Sequence, residues 1–258
     1  MKLSGMKRLF NRYGLLLSLL CLWQLLSVFQ VLPAYKTPSP ISVLVGLKQL
    51  STQGLPSGYL LHNHCLQSLY RVFAGFFIAA LLAIPLGIIM GWSRSLRESV
   101  TPLIEVLRPV PPLAWIPLAI LWFGIGFKSS VFIIFLGCFF PIILSTISGV
   151  LSIDSILIDA SKTLGARKKE IFLKVLTPGS LPSILTGLRI GLGIGWMTLV
   201  AAEFTGVKSG YGLGYMIMTA RDIQRPDEVI AGMVIIGLIG YSLDLLLRGI
   251  ESRLLIWR

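Results

Sequence analysis

Six apolar stretches, at roughly 13–32, 67–92, 109–127, 129–150, 181–203 and 229–248, divide this 258-residue chain. Each approaches or exceeds the about 20 residues that a helix needs to cross a bilayer core. The third and fourth are separated only around Lys128. Composition agrees: 55% of residues are hydrophobic and 13% charged, with a mean hydropathy of +0.83. That is too little polar surface for a soluble domain of this length. The sequence therefore predicts an all-α membrane protein with six transmembrane helices and no separate soluble catalytic domain. Residues 1–66 form an N-terminal segment with the first span and an outer loop; 67–258 form the core.

The formal charge of +12 is a pattern of membrane orientation, not of nucleic-acid binding. Basic residues sit in short segments flanking the apolar stretches, as the positive-inside bias requires. An N-terminus in the cytoplasm places the loops around 94–108 and 151–180 on the same side as the tail with Arg248, Arg253 and Arg258. The loops 33–66 and 204–228 then lie outside. In the last of these Asp222, Asp227 and Glu228 balance Lys208, Arg221 and Arg225. The first span follows Lys2, Lys7, Arg8 and Arg12 without a small-x-small cleavage site after it, so it is expected to remain uncleaved. Cys21, Cys65 and Cys138 are odd in number and widely spaced, which argues against a disulfide framework.

Within the spans, Pro85, Pro117 and Pro141 are expected to kink or locally open helices. Gly87-x3-Gly91 and Gly187-x3-Gly191-x3-Gly195 place small residues on one helix face, allowing close packing. Glu203 ends a long apolar stretch and is the most isolated acid near the membrane, which makes it, with Trp196 on the same span, a functional candidate. A span starting near 181 puts it close to the outer surface, where a structural hydrogen bond to a neighbouring helix or loop is the competing reading. Arg189 is expected to snorkel to headgroups or pair with an acid, and Asp244 and Arg248 to form an i,i+4 pair. His62, His64 and Cys65 lack a zinc pattern and read as solvated loop, so no metal site is predicted.

Residues 151–178 are too polar to span and too patterned for a plain linker. Ile156, Ala160, Thr163 and Leu164 share a helical face. Gly165 permits a bend, and a second helical stretch carries Ile171, Phe172 and Val175 as its apolar residues. Pro178 and Pro182 are expected to close it. Two short amphipathic helices at a fixed angle would make a rigid knob suited to a cleft on a partner.

Within this loop, Asp159-Ala160-Ser161, Gly165 four residues past Ser161, and Pro178 thirteen residues further on resemble the cytoplasmic loop of binding-protein-dependent ABC importer permeases. That loop is written E-A-A, three residues, G, nine residues, I-x-L-P. The departures are Asp159 for Glu, Ser161 for the second Ala, Val175 for Ile and Thr177 for Leu. Further stretches are similar to the branch for aliphatic sulfonates, taurine, nitrate and bicarbonate. They are Arg108-Pro-Val-Pro-Pro-Leu-Ala-Trp-Ile-Pro-Leu-Ala, Phe139-Phe-Pro-Ile, Thr186-Gly-Leu-Arg-Ile, Trp196-Met-Thr-Leu-Val-Ala-Ala-Glu and Gly210-Tyr-Gly-Leu-Gly-Tyr.

The resemblance implies a type I ABC importer permease fold in the plasma (inner) membrane. It implies a second permease copy, a separate ATP-binding ABC subunit, and an external solute-binding protein. It assigns ATPase coupling to Asp159, Ala160, Ser161, Leu164, Gly165, Ala166, Phe172 and Pro178, makes Glu203 and Trp196 candidates for the translocation path, and gives a small anionic solute, an aliphatic sulfonate, taurine or nitrate, as the expected cargo. The chain has no G-x-x-x-x-G-K-[ST] phosphate loop, so it is expected not to be an enzyme and to need no cofactor; Gly124-Ile-Gly-Phe-Lys-Ser has the wrong spacing. Two other classes make different demands of a sequence. An ion-coupled secondary transporter needs titratable residues deep in the spans and often inverted repeats. A membrane enzyme needs clustered reactive groups at one depth. Neither pattern is found.

Overall fold

A computed structural model describes residues 2–29, 37–56, 58–204 and 211–255. Among these residues every regular element is helical. Lipid offers no partner to a backbone N–H, and a helix satisfies its own. The chain divides into two compact units, Met1–Cys65 with Met216–Gly237, and Leu66–Tyr215 with Leu238–Arg258.

In the first unit, α1 (Lys2–Val28) carries an apolar stretch of Leu17–Val28. The remainder of the expected first span, 30–32, lies outside the described residues. The expected outer loop contains a helix, α2 (Pro40–Thr52), started by Ser39, whose hydroxyl accepts from the Ser42 N–H at 3.0 Å. Gly46 of α2 packs on the backbone of Asp227, where an added Cβ would lie 3.1 Å from the Asp227 carbonyl. Arg225 fastens this docking: it bonds Gln49 and pairs with Glu228 at 2.9 Å and Asp227 at 3.2 Å. His62, His64 and Cys65 are helical and not loop, and of the three only His62 is exposed. They occupy the first turn of α3 (Leu61–Trp92), and His64 is fully buried.

The second unit is built on α3 from residue 66, α4 (Arg94–Leu107), a 3-10 turn at Pro112–Trp115, α5 (Ile116–Phe123) and α6 (Phe127–Leu151). There follow α7 (Ser155–Thr163), the single turn α8 (Lys168–Ile171), a π-helical turn at Phe172–Leu176, and α9 (Thr177–Phe204). The chain then continues through α10 (Leu213–Asp222) and α11 (Pro226–Leu254). Glycines set how closely the long helices approach. Gly87 and Gly91 of α3 face Thr146 and Val150 of α6, and Gly187, Gly191 and Gly195 of α9 face Ser145, Ile142 and Cys138. A Cβ at any of these would lie within 3.0 Å of those side chains, so the α9 ladder is a packing surface. Arg189 pairs with Glu251 at 3.2 Å and reaches Asp244 at 4.0 Å, while Asp244 also holds Arg248 at 2.7 Å.

Among the described residues four helices are long and apolar enough to cross a membrane: Leu61–Trp92, Phe127–Leu151, Lys168–Phe204 and Pro226–Leu254. The expected third span, 109–127, is not one helix. Pro109, Pro111, Pro112 and Pro117 remove backbone donors in close succession, leaving eight residues of α5 after the 3-10 turn. Eight residues rise about 12 Å, well short of the about 30 Å core. This segment bends 83° from α4, and the bent pair would make a fifth crossing. Pro178 and Pro182 likewise do not end a helix. The helix runs unbroken from Lys168 to Phe204, because the π turn ahead of Pro178 re-pairs the backbone. Thr177 donates both its N–H and its hydroxyl to the Phe172 carbonyl, the hydroxyl at 2.9 Å.

Candidate functional site

The predicted loop is two pieces of opposite character. Asp154 starts α7 by accepting the Ile156 N–H at 2.9 Å. The helix ends in a Schellman turn: Gly165 N–H donates to the Lys162 carbonyl at 2.9 Å and Ala166 N–H to Ser161 at 3.0 Å. Gly165 takes φ +80°, with open space where a Cβ would point. That left-handed step reverses the chain into α8, whose start is closed by Glu170 accepting the Arg167 N–H at 2.9 Å.

No residue of α7 is buried. Leu164, at the corner, is 88% exposed, and Ile156 and Leu157 in the first turn of α7 are 70% and 57% exposed. Asp159 and Ala160 are also exposed, Asp159 paired with Lys162 at 2.9 Å; the Ser161 hydroxyl bonds back to Leu157 at 2.7 Å. The second piece turns inward. Ile171 and Leu176 are buried with Ile88, Val150 and Ile184, and Ile153, Ile158, Ala166, Phe172 and Val175 pack against them. Of the predicted coupling residues, then, Asp159, Ala160, Leu164, Gly165 and Pro178 face outward, while Ala166 and Phe172 anchor the turn to the helices. Periodicity gave both pieces an outward apolar face; in the second, core packing claims it.

Glu203 is not solvated at a membrane surface. It is fully buried in unit two and saturated with donors. Arg71 Nη1 donates to it at 2.6 Å, Ser68 Oγ at 2.8 Å, and the Gly214 N–H at 2.8 Å. Arg71 Nη1 also donates to the Tyr211 carbonyl at 2.5 Å, and Ser68 accepts the Leu213 N–H at 2.9 Å. Gly212 and Gly214 close over the carboxylate, where a Cβ on Gly212 would lie 2.4 Å from it. This knot ties α3 and the turn before α10 to the end of α9. Arg71 was missed from the sequence; its only signal is a lone cation just inside an apolar span, with a lone anion at the end of another. Gly210 and Lys208 lie outside the described residues. Trp196 is also buried, its indole lying over Gly240 and beside a small cavity that Arg189 and Asp244 share.

Residues 83–256 match the family described as the inner membrane component of binding-protein-dependent transport systems. The chain belongs to that family. A Methanocaldococcus jannaschii protein named an ABC transporter permease is 47% identical, over 92% of this chain and 88% of its own length. The taurine transport system permease of Escherichia coli is 41% identical over 95% and 88%, and the nitrate import permease of Synechocystis 33% over 91% and 85%. Among solved structures, a chain of the MetNI methionine ABC transporter in inward-facing form superposes with a TM-score of 0.67. It covers 75% of this chain and 95% of that one at 20% identity, so it speaks for the fold. The protein is thus a multi-pass membrane permease of the ABC importer kind, and the family is one of transport components.

Proposed function

We propose that this permease couples a separate ATP-binding subunit to import of a small oxyanion through the corner Ile156–Gly165. In this reading 67–258 is the permease core, the 151–178 loop and both termini face the cytoplasm, and the protein sits in the plasma (inner) membrane. Two copies pair to enclose the path, and an external solute-binding protein delivers cargo. The carrying observation is the 88% exposure of Leu164 at the tip of a turn whose other half is anchored in the core. An apolar side chain held out on a rigid corner invites a cleft on a partner, which buries it and gains about 1.5–3 kcal/mol of transfer energy. The exposed Asp159, Lys162, Arg167, Lys168 and Lys169 around it would set register. The small-oxyanion cargo follows the taurine and nitrate permeases among the relatives.

The test is uptake by the assembled importer in membrane vesicles, with labelled taurine and nitrate as probes. ATP-dependent accumulation of either, requiring the binding protein, is the expected result. Uptake driven by an ion gradient without ATP would overturn the proposal in favour of a secondary transporter.

A further inference from the structure

Glu203 is spent on Arg71, so it is not available to meet cargo; a different part of the second unit is built to do so. Between α6 and α9 runs a groove of two adjoining cavities, about 770 and about 380 Å³, that share Arg108, Leu144 and Ser145. The larger is lined by Arg108 with Ser145, Ser148, Ser152, Ser183 and Thr186. The smaller continues it past Phe140, Pro141, Ile190 and Ile194. The hydroxyl residues follow helical spacing, 145, 148 and 152 on α6 and 183 and 186 on α9, so each helix turns one polar stripe to the groove. They sit at the glycine contacts: Ser145 packs on Gly187 and Ser183 on Gly149.

Hydroxyls in apolar helices usually donate back to a carbonyl of the preceding turn. Thr146, Ser180, Thr186 and Thr198 do so here, at 2.7 to 3.0 Å. The hydroxyls of Ser145, Ser148 and Ser183 do not, and have no hydrogen-bond partner among the described residues. Arg108 is exposed at the junction of the two cavities, with no carboxylate within ion-pair distance among the described residues. Neither cavity is lined by an acid. One cation with no acid beside it and three hydroxyls without a protein partner among the described residues, in a trough walled by apolar helices, focus a positive potential and offer donors to an anion.

We infer that Arg108 with Ser145, Ser148 and Ser183 forms an oxyanion-attracting subsite on the translocation path, accepting a sulfonate or nitrate-type group. Arg108 supplies the charge, and the serines replace part of the hydration shell as the anion passes. This rests on the importer reading above, so its test has one arm that is independent of transport. In the complete importer, with Cys21, Cys65 and Cys138 replaced by Ser or Ala, Ser148→Cys is reacted with sulfonatoethyl and trimethylammonioethyl methanethiosulfonate. Ser152→Cys serves as a second position should the first variant fold poorly.

Relative to a free thiol, the ratio of anionic to cationic reaction rates should rise at least about tenfold at the groove thiol. Arg108→Gln should abolish the rise and Arg108→Lys retain it. In the second arm, Arg108→Gln without the added thiol should lower taurine and nitrate uptake about tenfold. An unchanged rate ratio in Arg108→Gln overturns the subsite and leaves the importer reading standing. A shifted ratio in a complex that takes up neither probe with ATP supports the anion subsite and counts against that reading.

Discussion

The two ends of the polypeptide stretch 154–204 solve opposite problems. At one end the chain holds apolar side chains out in solvent on a backbone-defined corner; at the other it buries a full ion pair among helices. The corner's hydrogen bonds are local, with no bonded partner more than five residues away, and Ile158 alone of α7 packs on the core behind it. The Arg71–Glu203 pair joins residues 132 apart. A corner of the first kind tolerates change in its exposed side chains without losing the fold, so its surface is free to serve a partner. A knot of the second kind has no such freedom, because either charge left alone in the interior is costly.

The sharpest way to break this contrast is to cut the buried pair. Arg71→Ala or Glu203→Ala should each cost about 3–5 kcal/mol, since the remaining charge is uncompensated. A large fall in thermal unfolding midpoint and in membrane yield is expected, with much of it recovered in the double variant Arg71→Met, Glu203→Leu. Next in size, Gly212→Ala would drive a methyl into the Glu203 carboxylate. A loss of about 1–3 kcal/mol is expected from such overpacking, read by the same melting experiment.

The corner should respond differently. Gly165→Val forces a β-branched residue to φ +80° and should cost about 1–2 kcal/mol, confined to the turn because nothing packs on that position. The melting point should move little, transport should uncouple from ATP hydrolysis, and Gly165→Asn, which accepts the left-handed conformation, should retain coupling. Smallest in stability is Leu164→Ser, within about 0.5 kcal/mol for an exposed side chain. Its expected effect is on retention of the ATP-binding subunit during purification.

This contrast also explains what could be read from the sequence. The Gly165 turn was legible because its cause is local: one residue must adopt positive φ, and a helix must end there. The long apolar helices were legible for the same reason, since each satisfies its own backbone. The third span was misread because hydropathy counts Pro109, Pro111, Pro112 and Pro117 as compatible with a membrane while the backbone cannot continue through them as one helix. The inverse error occurred at Pro178, where a π turn carried the helix across a residue expected to stop it. Phe172 read as outward-facing because periodicity shows that a face is apolar, not which neighbour covers it. Glu203 reads as an isolated acid and Arg71 belongs to no motif; only the fold brings them together.

The central claim is that the exposed corner serves a partner while the fold is held elsewhere. It is tested most directly by purifying wild type and Leu164→Glu in mild detergent and measuring, for each, the bound ATP-binding subunit and the melting temperature. The account predicts a stoichiometric ATP-binding subunit on the wild type, its loss from the variant, and melting temperatures that coincide. Equal retention by both proteins, or none on intact wild type, would contradict it.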